Sequence, residues 1–325
     1  MKTNEKPSET IRKTIFNFTA FFTNLPEHKK NISLQFLEWF VGFSEGDGCF
    51  HVSYPISKKG KKEPHRLFFI ITQKEQRLLL LLRTTIGFGA VSKSGEYWRY
   101  IVADQKNIDR LIYLFNGNLL FEKTNARFLS WITARNTRFS PDQQIPYRVP
   151  CIKETFLAGN FSSIFHTAWL AGFTDADGCF SVNKNIDQRY SLGYRIRLRY
   201  ILDQKGERWF FEALKKYFQH GCILQRGKTE DRIKENSEEV DPMFRFEVTS
   251  LESFVVILAY YEKYRLRSEK YLSFLRIKRL FFYIQNRKSL PWEGKVLRRI
   301  EKLIEGCKKI EKLKIESNLF TKGKE

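Results

Sequence analysis

Apolar and polar positions along the chain fall into one order that is written twice. Residues 34–47 are apolar almost all round, the pattern of a buried helix rather than a surface one. The run closes on Glu45-Gly46-Asp47-Gly48, and Gly48 is placed to stop the helix in a left-handed conformation. Phe50, Val52 and Tyr54 then alternate with His51 and Ser53, which predicts a half-buried strand. A basic loop carries Lys58, Lys59, Lys61 and Lys62, and a second strand covers 67–72. A Leu-rich helix opens after Lys74-Glu75-Gln76-Arg77 and is closed by Gly87. Residues 90–92 and 97–103 read as a hairpin turning at Lys93-Ser94-Gly95. Helical spacing returns over about 107–115 and 123–135.

Residues 136–165 carry Pro141, Pro146 and Pro150 with little periodicity and read as a linker. The order then repeats. An apolar helix ends at Asp177, and Phe180 and Val182 alternate with Ser181 and Asn183. A strand over 194–202, a helix opening at Gln204-Lys205-Gly206-Glu207-Arg208, a hairpin over 222–225 and 244–249, and helices near 251–262 and 268–283 follow. Asp177 lies 130 residues after Asp47, and Gln204 and Arg208 each lie 131 after Gln73 and Arg77. Only the second hairpin departs, through a polar insertion over 227–242. The pattern predicts an α+β protein of two tandem α-β-β-α-β-β-α repeats, at 32–135 and 166–285. Residues 1–31 read as an extension with a short helix near 9–23 or none, and 286–325 as a basic amphipathic helix docked on the body.

Charge decides what the surface faces. The 325 residues hold 57 Lys+Arg against 36 Asp+Glu, a net +21. Such a surplus has no place in a core and predicts a polyanionic partner, nucleic acid ahead of an anionic membrane surface. No apolar run approaches the ~20 residues of a membrane span, so no membrane residence is expected. Five scattered cysteines (Cys49, Cys151, Cys179, Cys222, Cys307) form no Cys-x-x-Cys pair and argue against a zinc site or a disulfide framework. Cys49 and Cys179 recur at matched positions, as small packing residues in a reducing compartment would. Abundant Phe, Lys, Ile and Asn suit an AT-rich organellar genome, mitochondrial before chloroplast.

The acidic helix ends carry the chemistry. A helix C-terminus is already partly negative, so a carboxylate there is unfavourable unless a cation joins it. Two such ends side by side make a site that repels itself when empty and suits Mg²⁺, which takes oxygen ligands and keeps several waters. One Asp-x-Asp-Gly is most simply a turn; two, each on an apolar helix at a constant offset, are not.

Leu170-Ala171-Gly172-Phe173-Thr174-Asp175-Ala176-Asp177-Gly178 resembles the signature of the LAGLIDADG homing endonuclease family, and Phe40-Val41-Gly42-Phe43-Ser44-Glu45-Gly46-Asp47-Gly48 is a looser copy. The resemblance covers about 34–285. It implies a pseudo-two-fold homing-endonuclease fold in which the motif helices pack together between two saddle-shaped four-stranded sheets. Small residues recur where those helices touch, here Gly42, Ala171 and Gly172, with Val41 as a departure. The eighth motif position implies Asp47 and Asp177 as metal ligands, with the carbonyls of Gly46 and Ala176 beside them. Glu45 and Asp175 would brace the turns. Gln73 and Gln204 would position water, and Arg77 and Arg208 would sit near the scissile phosphates. The family's helix-start lysine is offered by Lys270 in the second repeat. In the first it is offered by Lys123, one position out of register, where strict alignment gives Thr124.

Strand alternation supplies the DNA face. Arg195, Arg197 and Arg199 interleave with apolar residues, so three cations leave one side of a sheet. Ser181, Asn183, Asn185 and Arg245, and in the first repeat His51, Ser53 and Arg99, are expected on the same side. An antiparallel ribbon of this kind fits the major groove, and a face built almost wholly of Arg points to a polyanion because a solvated face would include counter-charges. Lys58 and Lys59 are assigned to phosphate contacts. The reading is a monomeric double-motif endonuclease that cuts both strands of a long asymmetric duplex with Mg²⁺ and leaves 3′ overhangs, as the resemblance implies. The alternative is an RNA maturase that assists splicing of its host intron, with or without cleavage.

Overall fold

The computed structural model describes residues 15–29, 31–56, 64–149, 162–190, 192–226 and 242–321. The first repeat runs α2 (Leu34–Asp47), β1 (Gly48–Ser53), β2 (Arg66–Gln73), α3 (Gln76–Ile86), β3 (Ala90–Ser94), β4 (Tyr97–Val102), α4 (Gln105–Phe115) and α5 (Glu122–Asn136), preceded by α1 (Thr19–Thr23). After α6 (Ser162–Phe165), the second runs α7 (Trp169–Asp177), β5 (Gly178–Ile186), β6 (Tyr194–Lys205), α8 (Arg208–Phe218), β7 (Cys222–Arg226), β8 (Met243–Val248), α9 (Leu251–Lys263) and α10 (Lys270–Gln285). α11 (Gly294–Thr321) follows. Each repeat holds one antiparallel four-stranded sheet, ordered β1-β2-β4-β3 and β5-β6-β8-β7.

The two motif helices face each other, and this contact explains why both are apolar all round. On one side each touches its twin. On the other each lies against its own sheet and the helices that line it, Phe40 meeting Phe69 at 6.0 Å and Thr174 Oγ1 meeting the hydroxyls of Tyr200 on β6 and Tyr261 on α9 at 2.9 and 2.6 Å. Ser33 caps α2 by accepting from Phe36 N–H at 3.2 Å. The helices cross where neither has a side chain: a Cβ on Gly42 would strike the Trp169 carbonyl, and one on Gly172 the Trp39 carbonyl. Under the first sheet Phe50 gathers Phe69, Phe115, Phe128 and Trp131 at 5.2–5.4 Å. Under the second Phe180 gathers Tyr200, Tyr261 and Phe274. Each sheet therefore keeps its other face open.

Several local expectations change. Gly48 is extended (φ −76°), as is Gly178 (φ −82°); glycine is needed there because a Cβ on Gly48 would lie 2.5 Å from the Ser44 carbonyl oxygen, not because the backbone turns left-handed. The first hairpin turns at Gly95-Glu96 rather than over 93–95. Within the N-terminal extension the helix is confined to Thr19–Thr23, and the segment is docked: Phe16, Phe18 and Phe21 are buried, and Asn118 brackets the Asn17 backbone at 2.8 and 2.9 Å. Cys49 is exposed and Cys179 half-buried on the open sheet faces, so neither is the packing residue expected. α11 lies along α10 and edge strand β5, with Ile300, Ile304 and Cys307 buried. Among the described residues no helix is long and apolar enough to cross a membrane.

Candidate active site and nucleic-acid interface

Because α2 and α7 cross at Gly42 and Gly172, their C-termini arrive together. A Cβ on Gly46 would meet Ala176 Cβ and lie 2.7 Å from Asp177 Oδ2. Asp47 and Asp177 are half-buried at this junction. Gln73, at the end of β2, donates from Nε2 to Asp47 Oδ2. Gln204 occupies the matching place near the end of β6 and has no side-chain hydrogen bond among the described residues. Lys270 Nζ donates to the carbonyls of Thr174 (3.0 Å), Asp175 and Ala176 (2.6 Å), placing an ammonium on the negative end of α7. The Ala176 carbonyl thus already serves a cation, and Lys270 is part of this junction.

The donors that converge here are carboxylate and carbonyl oxygens. That set fits a hard divalent cation such as Mg²⁺ or Ca²⁺, which accepts waters and phosphate oxygens for the rest of its shell. Among the described residues there is no group of three or more His, Cys, Asp or Glu that could hold a metal by itself, so two carboxylates would leave most positions to water and substrate.

The sixth-position carboxylates are buried and turned away. Glu45 Oε1 accepts from the amides of Leu120 and Phe121 (3.4 Å) at the start of α5. Asp175 accepts from Arg267 N–H (2.7 Å), Ser268 N–H (3.2 Å) and Ser268 Oγ at the start of α10, and from Trp39 Nε1 (2.8 Å) across the repeat boundary. The symmetric bond is not made, since Trp169 Nε1 and Glu45 Oε2 are both buried without a partner among the described residues. Burial pushes the Glu45 carboxyl up to about 8, outweighing its bonds to Leu120, Thr124 and Phe121. Burial raises Asp175 as well. Native Glu45 therefore keeps its proton from its ordinary 4.5 to about 8, where the unfolded chain has lost it, so stability falls as pH rises through that window. In metal-free buffer the unfolding free energy should drop by on the order of 3–4 kcal/mol between about pH 5 and about pH 8. Glu45→Gln should remove most of that slope in urea titrations, and an unchanged slope would assign the proton elsewhere.

The 131-residue offset does not carry into the helices. Gln73 and Gln204 correspond through the sheet registers, but β6 and its turn hold one more residue, so α3 starts at Gln76 and α8 at Arg208. Arg77 is accordingly the second residue of its helix and Arg208 the first. Both are exposed, and Arg208 is 3.3 Å from Glu212. The helix-start lysines shift the other way. Leu120 and Phe121 correspond to Arg267 and Ser268 in their capping bonds, 147 residues apart, and the same offset pairs Lys123, not Thr124, with Lys270.

The open sheet faces carry the remaining residues. Asn185 pairs with Arg195 and Asn183 with Arg197, and both arginines are exposed. Ser181 pairs with Arg199 but is fully buried, so it is withdrawn as a DNA contact. The face does include counter-charges: Arg199 makes a two-pronged bond to Glu247 (2.8 and 3.1 Å), and Arg245 one to Asp203 (2.7 and 2.6 Å). In the first repeat His51 lies beside Phe68, Ser53 pairs with Arg66, and Arg99 lies between Thr72 and Ser92. Lys58 and Lys59 lie outside the described residues, as does 227–241 of the hairpin insertion. Reading by sequence missed Glu75, Glu207 and Glu247; alternation along β8 was a signal for the last.

The family model for LAGLIDADG endonucleases matches residues 40–135 and 170–281. The "Probable intron-encoded endonuclease 4" of Neurospora crassa is 29% identical over 255 residues, 77% of this chain but 40% of that protein. A 37.2 kDa protein of cox1 intron 2 in Schizosaccharomyces pombe is 28% identical over 295 residues, covering 90% of this chain and 79% of the other. The structure of I-SmaMI bound to its uncleaved DNA target in the presence of calcium ions superposes with a TM-score of 0.60 at 21% identity, over 83% of this chain and 98% of that one. Two matched segments, two sheets of one order and two motif helices in contact lead to one conclusion: the chain belongs to the LAGLIDADG endonuclease family.

Proposed function

We propose that the chain is a monomeric, site-specific DNA endonuclease that cuts both strands of a long asymmetric duplex with Mg²⁺ and leaves 3′ overhangs. The observation that carries this is the junction of α2 and α7, which brings Asp47 and Asp177 together between two sheets whose open faces carry Arg195, Arg197 and Arg99. Asp47 and Asp177, with the Gly46 carbonyl and that of Ala176, the latter shared with Lys270, would hold the metal. When bound, the cation supplies Lewis-acid activation of the attacking water and stabilises the leaving 3′ oxygen. Gln73 fixes the rotamer of Asp47, and Lys270 offsets the negative end of α7. Gln204, Arg77, Arg208 and Lys123 would complete the site, where Arg and Lys can clamp phosphates. Arg195 and Arg197 reach bases, while Glu247 and Asp203 hold Arg199 and Arg245 in fixed directions, which selects against bases that cannot accept from them. A match to a cox1-intron protein supports a mitochondrial gene.

The RNA-maturase reading has its own observation. Phe274 of α10 packs under the second sheet, so Leu272, Leu275 and Arg279 point away from it. They line a groove of about 480 Å³ against α11 together with Arg276, Arg299 and Lys302. Arg276 Nη1 is buried there without a hydrogen bond among the described residues. Purified protein should cut the intron-free form of its host gene with Mg²⁺ and not with EDTA. Absence of cleavage together with stimulated splicing of the host intron would replace the nuclease reading with the maturase one.

A further inference from the structure

The last helix of each repeat is capped by two carboxylates, one from each repeat. At α5 the amides of Leu120 and Phe121 go to Glu45, and the next, Glu122, donates to Glu207 Oε1 at 3.1 Å. At α10 the amides of Arg267 and Ser268 go to Asp175, and the next, Glu269, donates to Glu75 Oε2 at 2.8 Å. Glu75 and Glu207 are the N-cap residues of α3 and α8, where a carboxylate ordinarily serves its own helix. Neither does so. Both reach across the repeat boundary instead, reciprocally, and the residue after each captured amide is a lysine: Lys270 and Lys123.

We infer that Glu75 and Glu207 are positioning residues, each setting the lysine of the opposite repeat, so that each strand's cleavage centre is completed by the other half of the molecule. The inference rests on the endonuclease reading. An amide bonded to a carboxylate is charge-assisted and fixes the first helical turn. That turn decides where the lysine leaves the helix, and Lys270 leaves it toward the Thr174, Asp175 and Ala176 carbonyls, immediately before Asp177. A loosened cap moves an ammonium relative to the scissile phosphate, and displacements near 1 Å cost up to ~100-fold in rate.

The test uses a linear target duplex with a different fluorophore on each strand, cut by full-length protein under single-turnover conditions at saturating protein. Glu75→Leu should slow by about tenfold or more the strand that Lys270→Met slows, and Glu207→Leu the strand that Lys123→Met slows, the other strand staying within about twofold. Glu75→Gln keeps an acceptor oxygen and should restore the even pattern. Equal slowing of both strands, or slowing of the wrong strand, overturns the inference. Amide hydrogen exchange reads the same coupling without cleavage. Glu75→Leu should speed exchange at 267–272 and spare 120–125, and Glu207→Leu should do the reverse. Unchanged exchange at the opposite helix overturns the inference even in an active enzyme, whereas wild-type protein that cuts neither strand overturns the endonuclease reading itself.

Discussion

Asp177→Asn should lower double-strand cleavage by about 10²–10³-fold or more while leaving duplex affinity within a few-fold. Asn keeps the size of Asp, so the packing at Gly46 and Ala176 stays and the sheets still present Arg195 and Arg197. What disappears is one of the two negative charges that, on the proposed reading, draw a divalent cation out of water into this junction. Asp47→Asn should behave alike, since Asp47 closes the matching motif helix at the same junction, although there Gln73 loses its charged acceptor as well. Single-turnover cleavage with Mg²⁺, run beside filter binding in Ca²⁺, separates the effect on chemistry from that on binding. In metal-free buffer neither variant should melt below wild type, because each relieves repulsion between two partly negative helix ends. Wild-type cleavage by either variant would remove that carboxylate from the site.

The repeat was legible because both copies obey one binary pattern and because Asp47, Gln73 and their counterparts keep nearly constant spacing. Burial of the motif helices was legible for the same reason: a helix apolar all round has no face for water. The corrections arise where a residue's role depends on a partner distant in sequence. Ser181 alternates like Asn183, yet it is fully buried. Arg199 reads as a free cation until β8 brings Glu247 across the face. Gly48 looks like a left-handed stop, but crowding by the Ser44 backbone demands it instead. Glu75 and Glu207 escaped notice because one extra residue after Gln204 breaks the offset that would have paired them.

Gly42→Ala and Gly172→Ala should each destabilise the protein by on the order of 3–5 kcal/mol, far more than a methyl group usually costs. A Cβ on Gly42 would collide with the Trp169 carbonyl oxygen and lie 2.8 Å from its carbon and 3.1 Å from Phe173 N. One on Gly172 would collide with the Trp39 carbonyl oxygen and lie 2.7 Å from Phe43 N. These neighbours are helix backbone, which cannot rotate aside as a side chain can, so α2 and α7 must separate. Separation strains the Trp39–Asp175 bond and spreads the acidic ends, so residual folded protein should also cleave poorly. Gly95→Ala is the control: its φ of +61° carries a backbone cost of about 1 kcal/mol, but nothing lies within 4 Å. Both collisions sit at one crossing, so the double variant should cost clearly less than the sum of the singles in urea denaturation. Once the helices have parted for the first methyl, the second meets no backbone. Additive costs would mean two independent clashes, and single costs below about 0.5 kcal/mol would mean that the helices do not pack backbone to backbone.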